Sequence, residues 1–345
     1  MRRLSIAVLA VLGLATPVRA DADMIDEPAD PEPAADRGNF WRNLLTPHRD
    51  EVDLILSRAR QALQTADMAL YSDYDPTGTE RIRFYKEIYG MLKYARRLEP
   101  DNIEVLRLLG LTADEHGKTR EAIEAFQSAL DIAGDKAPSD IPGRLGIIYM
   151  RLGKLDDAIR YLRMAQGPVM AGQPVSAHVL VHLSNALAAR GQMTEAIDVL
   201  AANVPDTVQY FVNELLLVSF ALAVQYDRDE QRGAAFDVLD KMQNVLQGQL
   251  AMMGQQQLSG MRFSPPEDKH YYYALLYESN GNYVEARAEW ALYAAAGNLP
   301  FRRRALDHIS ALDAQARAPS ADAANYGLAP PPAFSPRIKH PRVTP

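Results

Sequence analysis

A pattern of small and large residues occurs three times between Glu104 and Asn203. Each copy starts from a small residue, and a glycine follows seven positions later, an alanine twelve later and a large apolar residue sixteen later. The three sets are Gly110, Gly117, Ala122 and Phe126; Gly146, Gly153, Ala158 and Leu162; and Ser184, Gly191, Ala196 and Leu200. We call the first member of each set the anchor. A period of 36 to 38 residues indicates a chain built from similar, stacked units.

Each copy predicts two amphipathic helices joined by a tight turn. The glycine after the anchor permits the left-handed backbone conformation that ends the first helix. The small anchor and the alanine let the two helices approach closely, and the large residue fills the space between this pair and the next unit. Because one helical hairpin cannot bury its apolar face alone, the units are expected to stack into a solenoid.

This set of spacings resembles the tetratricopeptide repeat. The resemblance implies an all-α, right-handed solenoid of helix-turn-helix units, and the composition of the two termini favours disorder there. Solenoids of this type present an extended surface that suits the binding of proteins and suits catalysis poorly. The resemblance therefore implies a protein without enzymatic activity that holds a protein or peptide partner.

The first twenty residues have the features of a signal peptide. Arg2 and Arg3 form a basic start, Leu4 to Leu14 an apolar segment, and Val18 to Ala20 a small-residue cleavage site. We expect an exported bacterial protein in the periplasm, either free or peripheral to the inner or outer membrane. The general and the twin-arginine export routes both remain open. The chain contains no cysteine, so we expect neither a disulfide nor a lipid-attachment cysteine.

Charge and hydropathy restrict the class of partner. Removal of residues 1–20 leaves 34 basic and 44 acidic residues, a net charge of −10. A chain this acidic is poorly suited to bind nucleic acid or anionic lipid as its main partner. The longest other apolar run, Leu215 to Val224, is too short to span a bilayer, so no transmembrane segment is expected in the mature chain.

Composition and periodicity divide the chain into segments. Residues 21–39 are an acidic linker whose composition favours disorder, and residues 317–345 are a proline-rich, basic tail. Between them, residues 40–316 are expected to form the solenoid. Its approximate units are 47–100, 103–136, 139–171, 175–204, 210–246 and 268–297, followed by a capping helix over 299–313. The fifth of these units has Asp227 to Glu230 in place of the usual glycine turn.

An insertion over residues 247–268 interrupts the repeats and is rich in glutamine and methionine. A loop of this length is usually functional or disordered. Its apolar residues are expected either to form an adaptable contact surface or to fold back and seal the core of the last unit. These residues are Met252, Met253, Met261 and Phe263.

Two further groups have both a binding and a packing interpretation. His178 and His182 lie four residues apart on a helix, but no third ligand is nearby, so groove or packing roles are favoured over a metal site. The tyrosines at 271, 272, 273 and 277 resemble a stacking platform for a sugar or a peptide, although at least half of them are expected in the core. We expect no cofactor, no metal and no catalytic residue.

The candidate binding groove follows from the repeat register. The first helix of each unit is expected to line the concave wall, with arginines that hold a carboxylate of the partner and an asparagine that bonds its backbone. The predicted groove residues are Arg107, Asp114, Ile147, Met150, Arg151, His178, Val181 and Asn185. The alternative is that the arginines pair with acidic neighbours of the same chain.

The leading functional hypothesis is a non-enzymatic scaffold or adaptor of the periplasm or envelope. It binds a protein or peptide in its groove, as part of a secretion, motility or outer-membrane assembly. The alternatives are a module that binds peptidoglycan or carbohydrate, and an accessory subunit of a cell-wall hydrolase. Only the insertion and the tail remain to house a catalytic domain.

Overall fold

The computed structural model describes residues 47–69, 79–167, 176–204, 212–297 and 299–317. The chain divides into two segments, Met1–Arg49 and Asp50–Pro345, and the helices below belong to the second segment from Asp50 onward. The predicted signal peptide, the acidic linker and the tail beyond Arg317 lie outside the described residues.

The described residues form fourteen α-helices and no strand, and the predicted all-α solenoid of paired helices is confirmed. The helices are α1 (Arg49–Ala69), α2 (Thr79–Leu98), α3 (Ile103–Glu115), α4 (Thr119–Ala133), α5 (Asp140–Arg151), α6 (Leu155–Gln166), α7 (Ala177–Ala189), α8 (Met193–Ala201), α9 (Val212–Arg228), α10 (Arg232–Val245), α11 (Leu250–Ser259), α12 (Asp268–Ser279), α13 (Tyr283–Ala295) and α14 (Arg302–Arg317). A short 3₁₀ turn, Gly134–Lys136, follows α4. Within the described ranges, no helix is both long enough and apolar enough to cross a membrane.

Five of the turns between paired helices share one backbone geometry. The residue seven positions after the anchor has a positive φ, and the next N–H donates to a carbonyl five residues back, as in a Schellman motif. Glycine occupies this position in four of the turns: Gly117, Gly153, Gly191 and Gly281. In the fifth, Glu230 takes a φ of 61°, so the unit without a glycine keeps the same turn with a strained residue.

The anchors are small because the large residue of the same unit lies against them. A Cβ added to Gly146 would lie 2.5 Å from Leu162 Cγ, and one added to Gly110 would lie 2.7 Å from the ring of Phe126. These contacts within a unit were not predicted, because the large residues were assigned to the space between units. The third anchor, Ser184, instead donates a hydrogen bond of 2.8 Å to the carbonyl of Ala196.

The core consists of two hydrophobic clusters, and helix α7 contributes to both. Val179, Leu183 and Leu187 belong to the first cluster, and Leu180 and Val181 belong to the second. Eleven of the thirteen residues of α7 are buried as a result. This double role explains why α7 is apolar around most of its circumference.

The predicted insertion contains a helix, which the sequence analysis did not expect. Helix α11 packs against α9 and α12, which are the first helices of the last two units. It approaches α12 closely at Gly254, where an added Cβ would lie 3.0 Å from Leu276. Met261 is buried, Met253 and Phe263 are half-buried against the second cluster, and Met252 is exposed, so three of the four predicted apolar residues pack on the core and one faces solvent.

Replacement of Gly146 by leucine tests the contact at the anchor. The side chain would collide with Leu162 and with the Ala158 carbonyl, so we expect the free energy of unfolding to fall by about 1–3 kcal/mol. Gly90→Leu is the matched control, because Gly90 lies on an exposed helix surface with no atom within 4 Å of an added Cβ. Equal urea midpoints for the two variants would contradict the register.

Substitution of Glu230 tests the turn that lacks a glycine. Glu230→Gly removes the strain of a left-handed L-residue, so the free energy of unfolding should rise by about 0.5–1 kcal/mol. Gly153→Ala places a Cβ at the equivalent position of another unit and should lower it by about 1–2 kcal/mol. Urea titrations of both variants measure these changes. A loss of stability in Glu230→Gly would show that the side chain contributes more than its backbone conformation costs.

Candidate partner-binding face

The predicted groove residues occupy five positions relative to the anchor, namely six and three before it and one, four and five after it. We call these the inner positions.

Arg107 is half-buried on α3, three positions before its anchor. Its guanidinium donates to Glu104 at 2.7 and 2.9 Å and to Asp140 of α5 at 2.6 Å. Glu104 also pairs with Arg60 of α1 at 3.1 Å. These contacts form a chain of alternating charges across α1, α3 and α5.

Asp114 and Arg151 are inner residues of neighbouring units, and the structure brings them together. The Arg151 guanidinium donates to a carboxylate oxygen of Asp114, whose side chain is buried. Ile147, on the same helix as Arg151, is half-exposed, and Met150 is buried in the first cluster. In this structure Arg107 and Arg151 both contact acidic neighbours of the same chain, as the predicted alternative has it.

The inner residues of α7 differ in exposure. His178 is exposed, whereas Val181 is fully buried in the second cluster. Asn185 is also buried. Its side-chain oxygen accepts hydrogen bonds from Gln225 at 2.8 Å, Arg228 at 3.0 Å and Tyr272 at 3.1 Å. The structure thus places the first five predicted residues on α3 and α5, and of the three predicted residues on α7 it leaves His178 alone exposed.

His182, one turn after His178, is a packing residue. Its burial, together with the charges of His178 and Arg144, lowers its pKa to about 3, so the ring is neutral at physiological pH. In the part of the chain that the structure describes, no group of three or more His, Asp or Glu residues is arranged to hold a metal ion.

The last two units present a closed inner face. With anchors at Ala223 and Ala274, their inner positions are Leu217, Phe220, Val224, Asp227 and Arg228, and Asp268, Tyr271, Leu275, Glu278 and Ser279. All of these except Ser279 are buried. The same positions of α3 and α5 include half-exposed Leu111 and Ile147. The inner face is therefore open over the first part of the repeats and closed over the last part.

The elements that close this face come from the C-terminal part of the chain. Helix α11 packs on α9 and α12. Phe263, just after α11, lies with its ring 5.0 Å from that of Tyr272. Phe301, just before α14, lies with its ring 4.5 Å from the guanidinium of Arg228. Residues that would line a groove in the last two units are thus contacted by this chain itself.

A buried ionic network holds the capping helix α14 against this closed face. His308 of α14 lies between two carboxylates, 3.0 Å from Asp227 and 2.7 Å from Glu278. Arg304 of the same helix donates to Asp227 at 2.6 Å. Trp290 donates its indole N–H to Glu278 at 3.0 Å and stacks on the His308 ring at a centroid distance of 4.3 Å.

The protonation states in this network follow from burial and from charge. Burial disfavours the charged imidazole, but Asp227 and Glu278 outweigh it and raise the pKa of His308 to about 9. Burial also opposes ionisation of the two acids, yet His308 and the neighbouring arginines lower the pKa of both. We therefore describe His308 as an imidazolium held between two carboxylates.

A second buried ion pair joins Arg228 to Asp268. The two side chains lie 3.1 Å apart and are almost fully enclosed. Burial raises the pKa of Asp268, and the charge of Arg228 offsets only part of this effect. Tyr271 donates to Asp227 at 2.7 Å and is buried together with Tyr272, so neither ring is available as a stacking platform in this structure.

This network was not predicted from the sequence, although the register contains a signal for it. The residue four positions after the anchor is acidic in three units, as Asp114, Asp227 and Glu278, and each is the last residue but one of its helix. A carboxylate there meets the negative end of the helix dipole, so a cation is required nearby. The cations come from distant parts of the chain, and their pairing cannot be read from local spacing.

The insertion supplies one of these cations. We call residues 260–267, between α11 and α12, the strap. Arg262 of the strap contacts the Glu115 carboxylate and lies 3.7 Å from Asp114. The acid side chains are 11% and 4% exposed, whereas the Arg262 side chain is 40% exposed. The strap thus reaches the open part of the inner face.

Paired helices, shared turns and an inner face with charged residues define an α-solenoid repeat protein. Residues 144–206 match the family model described as tetratricopeptide repeat, which supports the resemblance found in the repeat spacing. Proteins with this fold generally act as non-catalytic scaffolds that bind proteins or peptides. No curated protein sequence matches the chain.

Solved structures with similar folds were also found. PilW, a widely conserved type IV pilus biogenesis factor, is 16% identical with a TM-score of 0.46, over 74% of this chain and 98% of that chain. The pilF protein of Pseudomonas aeruginosa is 13% identical with a TM-score of 0.47, over 75% and 99%. YrrB, a TPR protein with an unusual peptide-binding site, is 19% identical with a TM-score of 0.38, over 51% and 86%. At these values the similarities carry no argument about function.

The pH dependence of stability tests the His308 network. Because the folded pKa of about 9 exceeds the ordinary value of 6.5, the contribution of His308 is complete below pH 6.5 and is lost as the pH rises through 9. We expect the free energy of unfolding to fall by about 1–3 kcal/mol across this window. His308→Gln should be less stable at pH 6 and nearly flat between pH 6.5 and 9. The free energy of unfolding is measured by urea titration at each pH. An equal fall between pH 6.5 and 9 in the wild type and in His308→Gln would contradict this assignment.

Proposed function

We propose that this chain is an exported, non-enzymatic adaptor that binds an extended segment of a protein partner in the bacterial envelope. The open inner face of α3 and α5, continued by His178 of α7, is the proposed binding surface. Arg107, Asp114, Ile147, Arg151 and His178 are its central residues. The proposed setting is a multiprotein assembly for secretion, motility or outer-membrane biogenesis.

The observation that carries this proposal is the contrast along the inner face. One position after the anchor, Leu111 and Ile147 are half-exposed, whereas Val224 and Leu275 are fully buried by this chain itself. Apolar side chains flanked by charged ones suit a peptide segment, because apolar contact provides affinity and ion pairs provide register. The open stretch therefore has the mixed character expected of a protein-binding surface.

The location rests on the N-terminal sequence. Residues 1–20 have a basic start, an apolar segment and a small-residue cleavage site, which favour export. The net charge of −10 after their removal favours a protein partner over nucleic acid. The buried positions of Tyr271 and Tyr272 remove the main support for a carbohydrate-binding module.

A capture experiment with matched variants tests the proposal. The tagged protein is recovered from the envelope fraction of its own cells, and the proteins retained with it are identified. Ile147→Glu places a charge on the open inner face, whereas Ile132→Glu places the same charge on an exposed site of the second helix α4. We expect Ile132→Glu to retain the wild-type partners and Ile147→Glu to lose them, with similar melting temperatures.

Two outcomes would contradict the proposal. Full retention of the partners by Ile147→Glu would place binding elsewhere on the chain. Recovery of the protein from the cytoplasm alone, with residues 1–20 still attached by intact mass, would refute the envelope location.

A further inference from the structure

We infer that Asp114 and Glu115 form a guanidinium-binding site on the open inner face, and that Arg262 of the strap occupies this site until an arginine of a partner segment replaces it. This inference rests on the proposed function, because it names the chemistry of the partner that the inner face binds. It assigns to Arg262 the role of an internal substitute for that partner.

The site is built to hold a cation. Both acids lie in the last turn of α3, which contains no basic residue, and the carbonyl end of the helix adds its own negative potential there. Asp114 is shared between Arg151 and Arg262, while Glu115 contacts Arg262. Without Arg262, Asp114 would keep its contact with Arg151, and Glu115 would lose the cation that it contacts here. A second cation is therefore favoured at this position.

The site differs from the two other carboxylate sites of the same register in its access to solvent. The side chains of Asp227 and Glu278 are 0% exposed and are held by His308, which is itself 2% exposed, while Arg232, with a side chain 38% exposed, also contacts Glu278 at 3.0 Å. Arg262 is one of the two arginines at the first site and keeps 40% of its side chain exposed. This site combines an exposed cation with carboxylates that keep 4% and 11% of their side chains exposed, whereas Asp227 and Glu278 keep none.

The strap is attached to the rest of the chain by residues on either side of Arg262. Met261 is buried in the second cluster, and the ring of Phe263 packs on Tyr272. Loss of the Arg262 contact therefore leaves the segment anchored and frees only the carboxylate site. Two carboxylates suit the planar fork of a guanidinium better than the point charge of an ammonium group. The site consequently selects a segment that carries arginine.

A binding experiment on the full chain tests the inference. The probe is N-acetyl-L-arginine amide, and its binding to wild type and to Arg262→Ala is followed by NMR chemical shifts at millimolar concentrations. We expect saturable binding to Arg262→Ala that is roughly tenfold tighter or more than binding to wild type, because Arg262 no longer occupies the site. The corresponding lysine amide should bind more weakly, and the glutamine amide should not compete.

The double variant Arg262→Ala with Glu115→Gln is the specificity control and should lose the binding. Equal binding to wild type and to Arg262→Ala would overturn the inference. Binding that Glu115→Gln leaves unchanged, or no binding to Arg262→Ala, would also overturn it. Because the probe replaces the partner, these failures are distinct from failure of the envelope capture experiment, which does not depend on Arg262.

A second measurement covers the case in which Arg262→Ala does not fold. Trypsin must take the Arg262 side chain into its own pocket to cleave before Phe263, so the contact with Glu115 should slow this cleavage. Glu115→Gln should accelerate it by roughly tenfold. The control is Glu124→Gln, which alters an exposed pair with Arg120 and should leave the rate unchanged. An unchanged rate in Glu115→Gln would show that the contact does not hold the strap.

Discussion

Buried carboxylates at the ends of helices determine how the distant parts of this chain come together. Asp114, Asp227 and Glu278 each lie one residue before the end of the first helix of their unit. An enclosed carboxylate at the negative end of a helix is costly unless a cation accompanies it. The cations are contributed by α5, by the strap and by α10 and α14, so this single requirement links elements far apart in sequence.

The same requirement divides the inner face into two parts. His308 and Arg304 satisfy Asp227 and hold α14 over the last units, while α11 covers α9 and α12. The first units keep an open face, and among the described residues the strap reaches it through Arg262. A stack of similar repeats thereby acquires one part that is structural and one part that is free to bind.

The fold was predictable because its determinants are local and repeated. Gly117 and Gly153 mark the turns, and the small anchors mark the contacts between paired helices. The network around His308 was not predictable, because its members lie up to 81 residues apart and no local pattern connects them. The contact between Arg262 and Glu115 was not predictable for the same reason, since nothing near Arg262 in the sequence indicates Glu115. Glu230 is the opposite case. The repeat geometry imposes a positive φ there, although glutamate disfavours that conformation.

Single cysteines at one position of the repeat provide the most direct test of the divided inner face. The chain has no cysteine, so Leu111→Cys, Ile147→Cys, Val224→Cys and Leu275→Cys each carry one thiol at the position that follows the anchor. The rate of maleimide labelling of the folded protein measures access to each site. We expect rapid labelling at positions 111 and 147, and protection at 224 and 275 until the protein is unfolded. Equal labelling at all four positions in the native protein would contradict it.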